Sequence, residues 1–236
     1  MSTTRYRYLD AGHIVETVRS VKARIDNRFP ESGLGRVCHE LLETGEAAAE
    51  LTTSLGRPIY AIRIFSWFLI ALIILLALGQ LALLGDLSLT FETVGDLVEA
   101  IEAMLNELVL LGLAVLFLAT AEGRIKRYRS LRALRELRSL AHVVDMHQLT
   151  KDPKDLLVGE GEEEGMEAMS REDLAHYLDY CSEILSLTSK LAALYLGGFN
   201  DHVVIGAVNE IENLTSGLSG KIWQKIMILD RVAVEP

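Results

Sequence analysis

Residues 64–123 contain no Lys or Arg, and basic residues crowd both ends of this sixty-residue stretch. It holds two apolar cores, residues 64–84 and 108–121. The first has 21 residues and, as an α-helix, spans roughly 30 Å, about the hydrocarbon thickness of a bilayer. Apolar runs of this length are typical of membrane spans rather than of helices inside soluble cores. The stretch therefore predicts a helical hairpin across a membrane.

The second apolar core has 14 residues, which is too short to cross a bilayer alone. Apolar residues at helical spacing extend it backwards towards Val94, and polar residues share the opposite face. We therefore predict spans at about residues 62–84 and 101–122. An ionisable residue at membrane depth is a candidate functional site, and headgroup contact is the alternative. The membrane or pore candidates are Glu102, Asn106 and Glu107.

The charges that flank the spans predict their orientation. Arg57 and Arg63 precede the first span, and a series of arginines follows the second. The charged residues of the connection between the spans are all acidic. Because basic flanks stay on the cytoplasmic side, both termini are expected inside and residues 85–100 outside. The prediction is a multi-pass protein of the cell inner membrane.

The basic residues after the second span are candidates for contact with anionic lipid headgroups. Simple anchoring of the span explains them equally well. A nucleic-acid partner is not expected, since the net charge is -10 and no aromatic residues interleave with the arginines. The candidate headgroup contacts are Arg124, Lys126, Arg127, Arg129 and Arg132.

Helical periodicity and the absence of strand-like alternation predict an all-α integral membrane protein, with a two-helix hairpin and a cytoplasmic bundle from both termini. Ser170 and either Asn200 or Asp201 are predicted helix caps. The last two helices cannot bury their apolar face alone, so the N-terminal helices or another protomer must cover it. The predicted segments are N-terminal cytoplasmic helices (1–57, with one over 11–28), the membrane hairpin (58–123), a continuous helical extension of the second span (124–152), an acidic linker (153–169) and a C-terminal αα-hairpin (170–236).

Histidines followed by an acid one turn later recur along the chain, and this pattern is the basis of a metal-site hypothesis. Residues three or four apart share a helix face, so two such pairs on facing helices can hold a metal ion. The alternative is a set of surface hydrogen bonds. The candidate ligands are His142, Asp145, His147 and His176.

No catalytic motif is present: there is no G-x-S-x-G, no Walker glycine loop and no dinucleotide fingerprint. We therefore expect a non-enzymatic protein without a cofactor. The preferred hypothesis is an oligomeric scaffold, signalling or docking module that contacts the lipid bilayer, other copies of itself and a cytoplasmic protein. A second protomer is expected to cover the apolar seam of residues 131–144, so that a cysteine at Leu134 cross-links dimers.

Two further hypotheses follow from the same features. The plan of two spans with flanking cytosolic helices resembles that of bacterial two-span effector proteins that permeabilise membranes. That resemblance implies an oligomeric pore or gated ion channel, with the polar residues of the second span around an outer vestibule. The histidine pattern implies instead a membrane-anchored metal-binding protein.

Overall fold

The computed structural model describes residues 9–86, 94–149, 169–197 and 200–232, which are almost entirely helical and contain no strand. The predicted all-α class is confirmed for these residues. Their elements are α1 (Ala11–Arg28), α2 (Gly33–Leu55), α3 (Tyr60–Asp86), α4 (Val94–Ala119), α5 (Ala121–Leu149), α6 (Arg171–Ala193), a short 3₁₀ helix (Leu194–Leu196) and α7 (His202–Val232).

The chain divides into two compact units. We call residues 57–126 the apolar hairpin, and the segments on either side of them, 1–56 and 127–236, the helical unit. The acidic linker predicted at 153–169 lies outside the described residues except for Met169.

In the helical unit, α1 and α2 begin and end at residues whose chemistry explains their bounds. The Asp10 carboxylate accepts a hydrogen bond of 3.2 Å from the backbone N–H of His13, and Ser32 Oγ accepts one of 3.1 Å from Gly35 N–H. Pro30 follows the end of α1, because proline cannot continue a helix. The helix predicted over residues 11–28 is confirmed.

One apolar core joins the two ends of the chain. Ile25 of α1, Leu41 of α2 and Leu185 of α6 are fully buried in the same cluster, and both α1 and α2 pack against α6. At the edge of the contact between α1 and α6, the Arg24 guanidinium donates hydrogen bonds of 3.2 and 2.6 Å to Glu183. The N-terminal helices therefore cover α6, which is one of the two arrangements that the sequence allows.

The prediction that a second protomer covers the α5 seam is wrong. The seam is buried within the chain because α7 lies alongside α5: Arg127 pairs with Asp201 at 2.7 Å, and Arg138 pairs with Glu210 at 2.9 Å. A cysteine at position 134 is therefore inaccessible to a cross-linker. The buried seam residues are Leu134, Leu137, Ala141 and Val144.

The predicted caps of the last two helices are confirmed. Ser170 Oγ accepts a hydrogen bond of 3.1 Å from Asp173 N–H at the start of α6. Asp201, rather than Asn200, caps α7: its Oδ1 accepts hydrogen bonds of 3.0 and 3.3 Å from the N–H groups of Val203 and Val204. These contacts satisfy backbone donors that a helix start leaves without intrahelical partners.

In the apolar hairpin, α3 and α4 run antiparallel and pack against each other. Two helices are long and apolar enough to cross a membrane: one apolar window lies within Gly33–Gly79, in the part formed by α3, and the other is Val98–Ala119 in α4. Only 11% of the first window and 0% of the second is buried. The helices therefore present their apolar side chains outward.

Thr120 lies between α4 and α5, which include the predicted second span and its predicted continuous extension. Helical hydrogen bonds still cross this residue, from Thr120 N–H to Leu116 O and from Arg124 N–H to Thr120 O, both at 3.1 Å. The Thr120 hydroxyl also donates to the carbonyls of Leu116 and Phe117, at 2.9 and 3.2 Å. Such hydroxyl bonds to preceding carbonyls compete with helical ones and bend helices.

Candidate functional site at the base of the apolar hairpin

Glu122 joins the start of α3 to the start of α5. Its Oε1 accepts a hydrogen bond of 3.1 Å from the backbone N–H of Ile59, and its Oε2 accepts one of 3.2 Å from Arg63 Nε. Lys126, one helical turn beyond Glu122, approaches Oε1 to 3.0 Å and also donates a hydrogen bond of 2.8 Å to the carbonyl of Arg57. The Glu122 side chain is only 15% exposed, so these contacts satisfy a largely buried carboxylate.

A groove of about 430 Å³ extends from this cluster between α3 and α4. Arg63 and Glu122 lie at one end of the groove, and Ser66 is its other polar residue. The apolar side chains that line the groove are Trp67, Ile70, Val115, Leu118 and Ala119. The groove thus combines apolar walls with a charged end.

The five predicted headgroup contacts occupy different environments. Arg124, Arg129 and Arg132 are exposed, and Arg124 lies 4.3 Å from the ring centroid of Phe117. Arg127 pairs with Asp201. Lys126 is buried and fixed by Glu122 and the Arg57 carbonyl, so it contributes charge to the base of the hairpin rather than a free ammonium group.

The three predicted membrane or pore residues all lie on α4 and are exposed: Glu102, Asn106 and Glu107. Glu102 and Asn106 are four residues apart, which places them on one face of the helix. The structure therefore leaves these polar groups available to lipid headgroups, water or another copy of the chain.

The four predicted metal ligands do not form one site: His142, Asp145, His147 and His176. Asp145 accepts a hydrogen bond from Gln148, and His176 Nε2 lies 3.7 Å from Glu172 on its own helix. Within residues 9–86, 94–149, 169–197 and 200–232, no three His, Cys, Asp or Glu side chains come together in a way that could hold a metal ion.

His147 instead packs against the start of α2. A side chain on Gly33 would clash with the His147 imidazole, so glycine permits this approach. Burial, and secondly the positive charge of Arg36, lower the pKa of His147 below its usual value. The neutral imidazole is therefore favoured, as suits a ring that packs between helices.

Glu122 belongs to no motif, and sequence patterns do not single it out. One weak signal exists: Glu122 ends an apolar run and precedes Lys126 by four residues, the spacing of a helical ion pair. The contact with Arg63 spans 59 residues of sequence, and periodicity alone does not predict such a pairing.

No protein-family model matches this chain, and no curated protein or solved structure matches it either.

Proposed function

We propose that this chain is a non-enzymatic, membrane-anchored helical scaffold. In this proposal α3 and α4 cross a membrane and return, and the helical unit forms a bundle that docks other proteins or other copies of the chain. The outward-facing apolar windows of the two helices support the membrane assignment, because exposed apolar surface of this extent is unfavourable in water.

The observation that carries the proposal is the core shared by both ends of the chain. Helices α1 and α2 precede the hairpin, α6 follows it, and their buried side chains form one cluster. Since a bilayer cannot divide a packed core, a chain that crosses in α3 must cross back in α4. Basic residues on both sides of the hairpin favour the cytoplasm, in a cell with an inner membrane, as the compartment of this unit.

Exposed apolar residues on α7 support a docking role. Trp223, Met227 and Ile228 are exposed within two turns of the helix. Aromatic residues and methionine are enriched at the centres of protein interfaces. We therefore assign this end of α7 to contacts with a second copy or a cytoplasmic partner.

Cysteine labelling in intact and opened cells tests the topology. The native Cys38 and Cys181 can stay, because burial raises the pKa of both thiols to about 12 and keeps them unreactive. Single exposed cysteines, Ala47→Cys before the hairpin and Ser216→Cys after it, should react with an impermeant maleimide only in opened cells. Val94→Cys, between the spans, should react in intact cells.

Labelling of Ala47→Cys and Ser216→Cys on opposite sides would contradict the proposal. So would release of all three variants from membranes by alkaline carbonate.

The docking role is tested by molecular mass in nanodiscs at increasing protein concentration. Trp223→Ala should weaken self-association, because it removes the largest exposed apolar side chain at this end of α7. Lys221→Ala, an exposed neighbour, is the matched control. A monomeric mass at every concentration would contradict self-association. The docking hypothesis would then apply to a cytoplasmic partner alone.

A second candidate function is an oligomeric pore, favoured by one observation. Glu102 and Asn106 share an exposed face of α4. No part of the apolar window of α4, Val98–Ala119, is buried within the chain. Liposome conductance that falls in Glu102→Gln or Glu107→Gln, and not in Glu50→Gln of the helical unit, would support a pore. Silent bilayers would remove it.

A further inference from the structure

We infer that the groove between α3 and α4 binds an anionic phospholipid, with an acyl chain along its apolar wall and the headgroup phosphate at Arg63. This inference rests on the proposed function, because it requires the hairpin to lie in a bilayer. It names a ligand chemistry for the base of the hairpin and gives Arg63, Trp67 and Glu122 distinct roles.

The apolar part of the groove suits a hydrocarbon chain. Its volume of about 430 Å³ falls in the range of ligand sites, roughly 300–1,000 Å³. Its walls are apolar from Trp67 and Ala119 near the charged end to Ile70 and Val115 further along the two helices. Trp67 is 66% exposed, so the groove has an accessible aromatic edge of the kind found at membrane interfaces.

The charged end of the groove carries a net positive charge. Two cations, Arg63 and Lys126, share one anion, Glu122. Lys126 is occupied by Glu122 and by the Arg57 carbonyl. The excess charge is therefore available through Arg63, whose side chain is 54% exposed.

Glu122 positions Arg63, and because Lys126 shares the same carboxylate, one positive charge remains in excess. Arg63 donates a hydrogen bond to Glu122 through Nε. In the described part of the chain, its two terminal amino groups have no hydrogen-bond partner. A guanidinium held in this way presents a planar pair of donors, the geometry that matches a phosphate group. Because these donors adjoin an apolar channel, the arrangement favours a phospholipid over free phosphate.

The test uses Trp67 as a probe. Trp223→Phe leaves Trp67 as the single tryptophan, since the chain has two. The full-length variant is reconstituted in two membranes of equal bromine content: brominated phosphatidylglycerol in phosphatidylcholine, and brominated phosphatidylcholine in phosphatidylglycerol. Quenching of Trp67 should report an apparent affinity about fivefold higher for phosphatidylglycerol than for phosphatidylcholine. This factor corresponds to the effect of one basic residue near an anionic surface.

Two variants separate the groove from general surface charge. Arg63→Gln should reduce the preference to near unity, whereas Arg129→Gln, an exposed arginine outside the groove, should leave it intact. Ala119→Phe changes no charge but fills the groove, and it should also abolish the preference. This second variant keeps the test decisive where Arg63→Gln does not fold, as judged by circular dichroism.

Each remaining outcome is decisive. Equal quenching by both lipids in the parent protein, or a preference that survives both Arg63→Gln and Ala119→Phe, would overturn the lipid site while leaving membrane anchoring in place. Absence of quenching by either brominated lipid would instead overturn the proposed membrane function.

Discussion

Asp201 shows how one side chain supports two elements at once. It caps α7 through two backbone N–H groups and pairs with Arg127 of α5. Burial alone would raise the pKa of Asp201, but the hydrogen bonds from Arg127, Val204 and Val203 outweigh it and hold the pKa below its usual value. The ionised carboxylate therefore stabilises the helical unit.

Replacement of Asp201 by alanine should lower the free energy of unfolding by about 1–3 kcal/mol, because it removes a helix cap and a buried partner of Arg127. Asp10→Ala is the matched control: Asp10 caps α1 through one exposed hydrogen bond, so its loss should cost at most about 1 kcal/mol. Denaturant unfolding in mild detergent measures both. A larger effect at Asp10 would contradict this assignment.

The stabilisation from Asp201 should depend on pH. Because its folded-state pKa is lowered, the contribution is fully present above the unfolded value of about 3.9 and is lost as the pH falls through the folded pKa. The stability difference between wild type and Asp201→Asn should thus be constant from about pH 7 to pH 5 and shrink below about pH 4. A difference that grows on acidification would refute this account.

Individual caps are predictable from sequence, but their distant partners are not. A Ser or Asp before a helical pattern marks a cap by local chemistry, and Ser170 and Asp201 both follow that rule. Arg127 lies 74 residues from Asp201, and no local pattern links them. For the same reason, the sequence does not predict the pairing of Arg63 with Glu122, which are 59 residues apart.

At the scale of elements, Gly45 allows α2 to approach both α6 and α1. A Cβ atom at this position would lie 3.3 Å from Leu191 Cδ1 and 3.6 Å from Val15 Cγ2. Contacts of that length leave little space for a larger side chain. A side chain at position 45 therefore requires Leu191 to shift.

Gly45→Leu should destabilise the helical unit by about 1–3 kcal/mol through overpacking. The same substitution at Gly217 of α7, where nothing lies within 4 Å of a Cβ, should instead stabilise by up to about 1 kcal/mol, since leucine favours helix more than glycine. Thermal unfolding followed by circular dichroism compares them. Equal shifts in the two variants would exclude the packing argument.

The sequence predicts where a helix begins and ends more readily than it predicts which helix packs against it. Helical periodicity identifies the apolar face of α5, including Leu134 and Leu137, but periodicity does not specify what covers that face. The structure places α7 of the same chain alongside it.

At the scale of the whole molecule, the ends of the hairpin lie close together, since Lys126 donates a hydrogen bond of 2.8 Å to the Arg57 carbonyl. Replacement of residues 58–125 by a short Gly-Ser linker should therefore yield a water-soluble, helical protein that unfolds cooperatively. Circular dichroism and sedimentation check this outcome.

The shared core should be needed for that soluble form. Leu185→Asp, placed in the linker variant, buries an unpaired carboxylate in the core that α1, α2 and α6 share and should abolish cooperative unfolding. Aggregation of the linker variant itself would show that the helical unit needs the hairpin to fold.

The pairing of Arg24 with Glu183 also has a consequence in time, since 159 positions separate the two residues. At synthesis rates of roughly 5–20 residues per second, α1 leaves the ribosome on the order of 8–30 s before its partner helix is made. During that interval the apolar side chains of α1 and α2 that pack against α6 are uncovered. Nascent chains stalled before residue 171 should accordingly recruit chaperones, and completed chains released from the ribosome should no longer bind them.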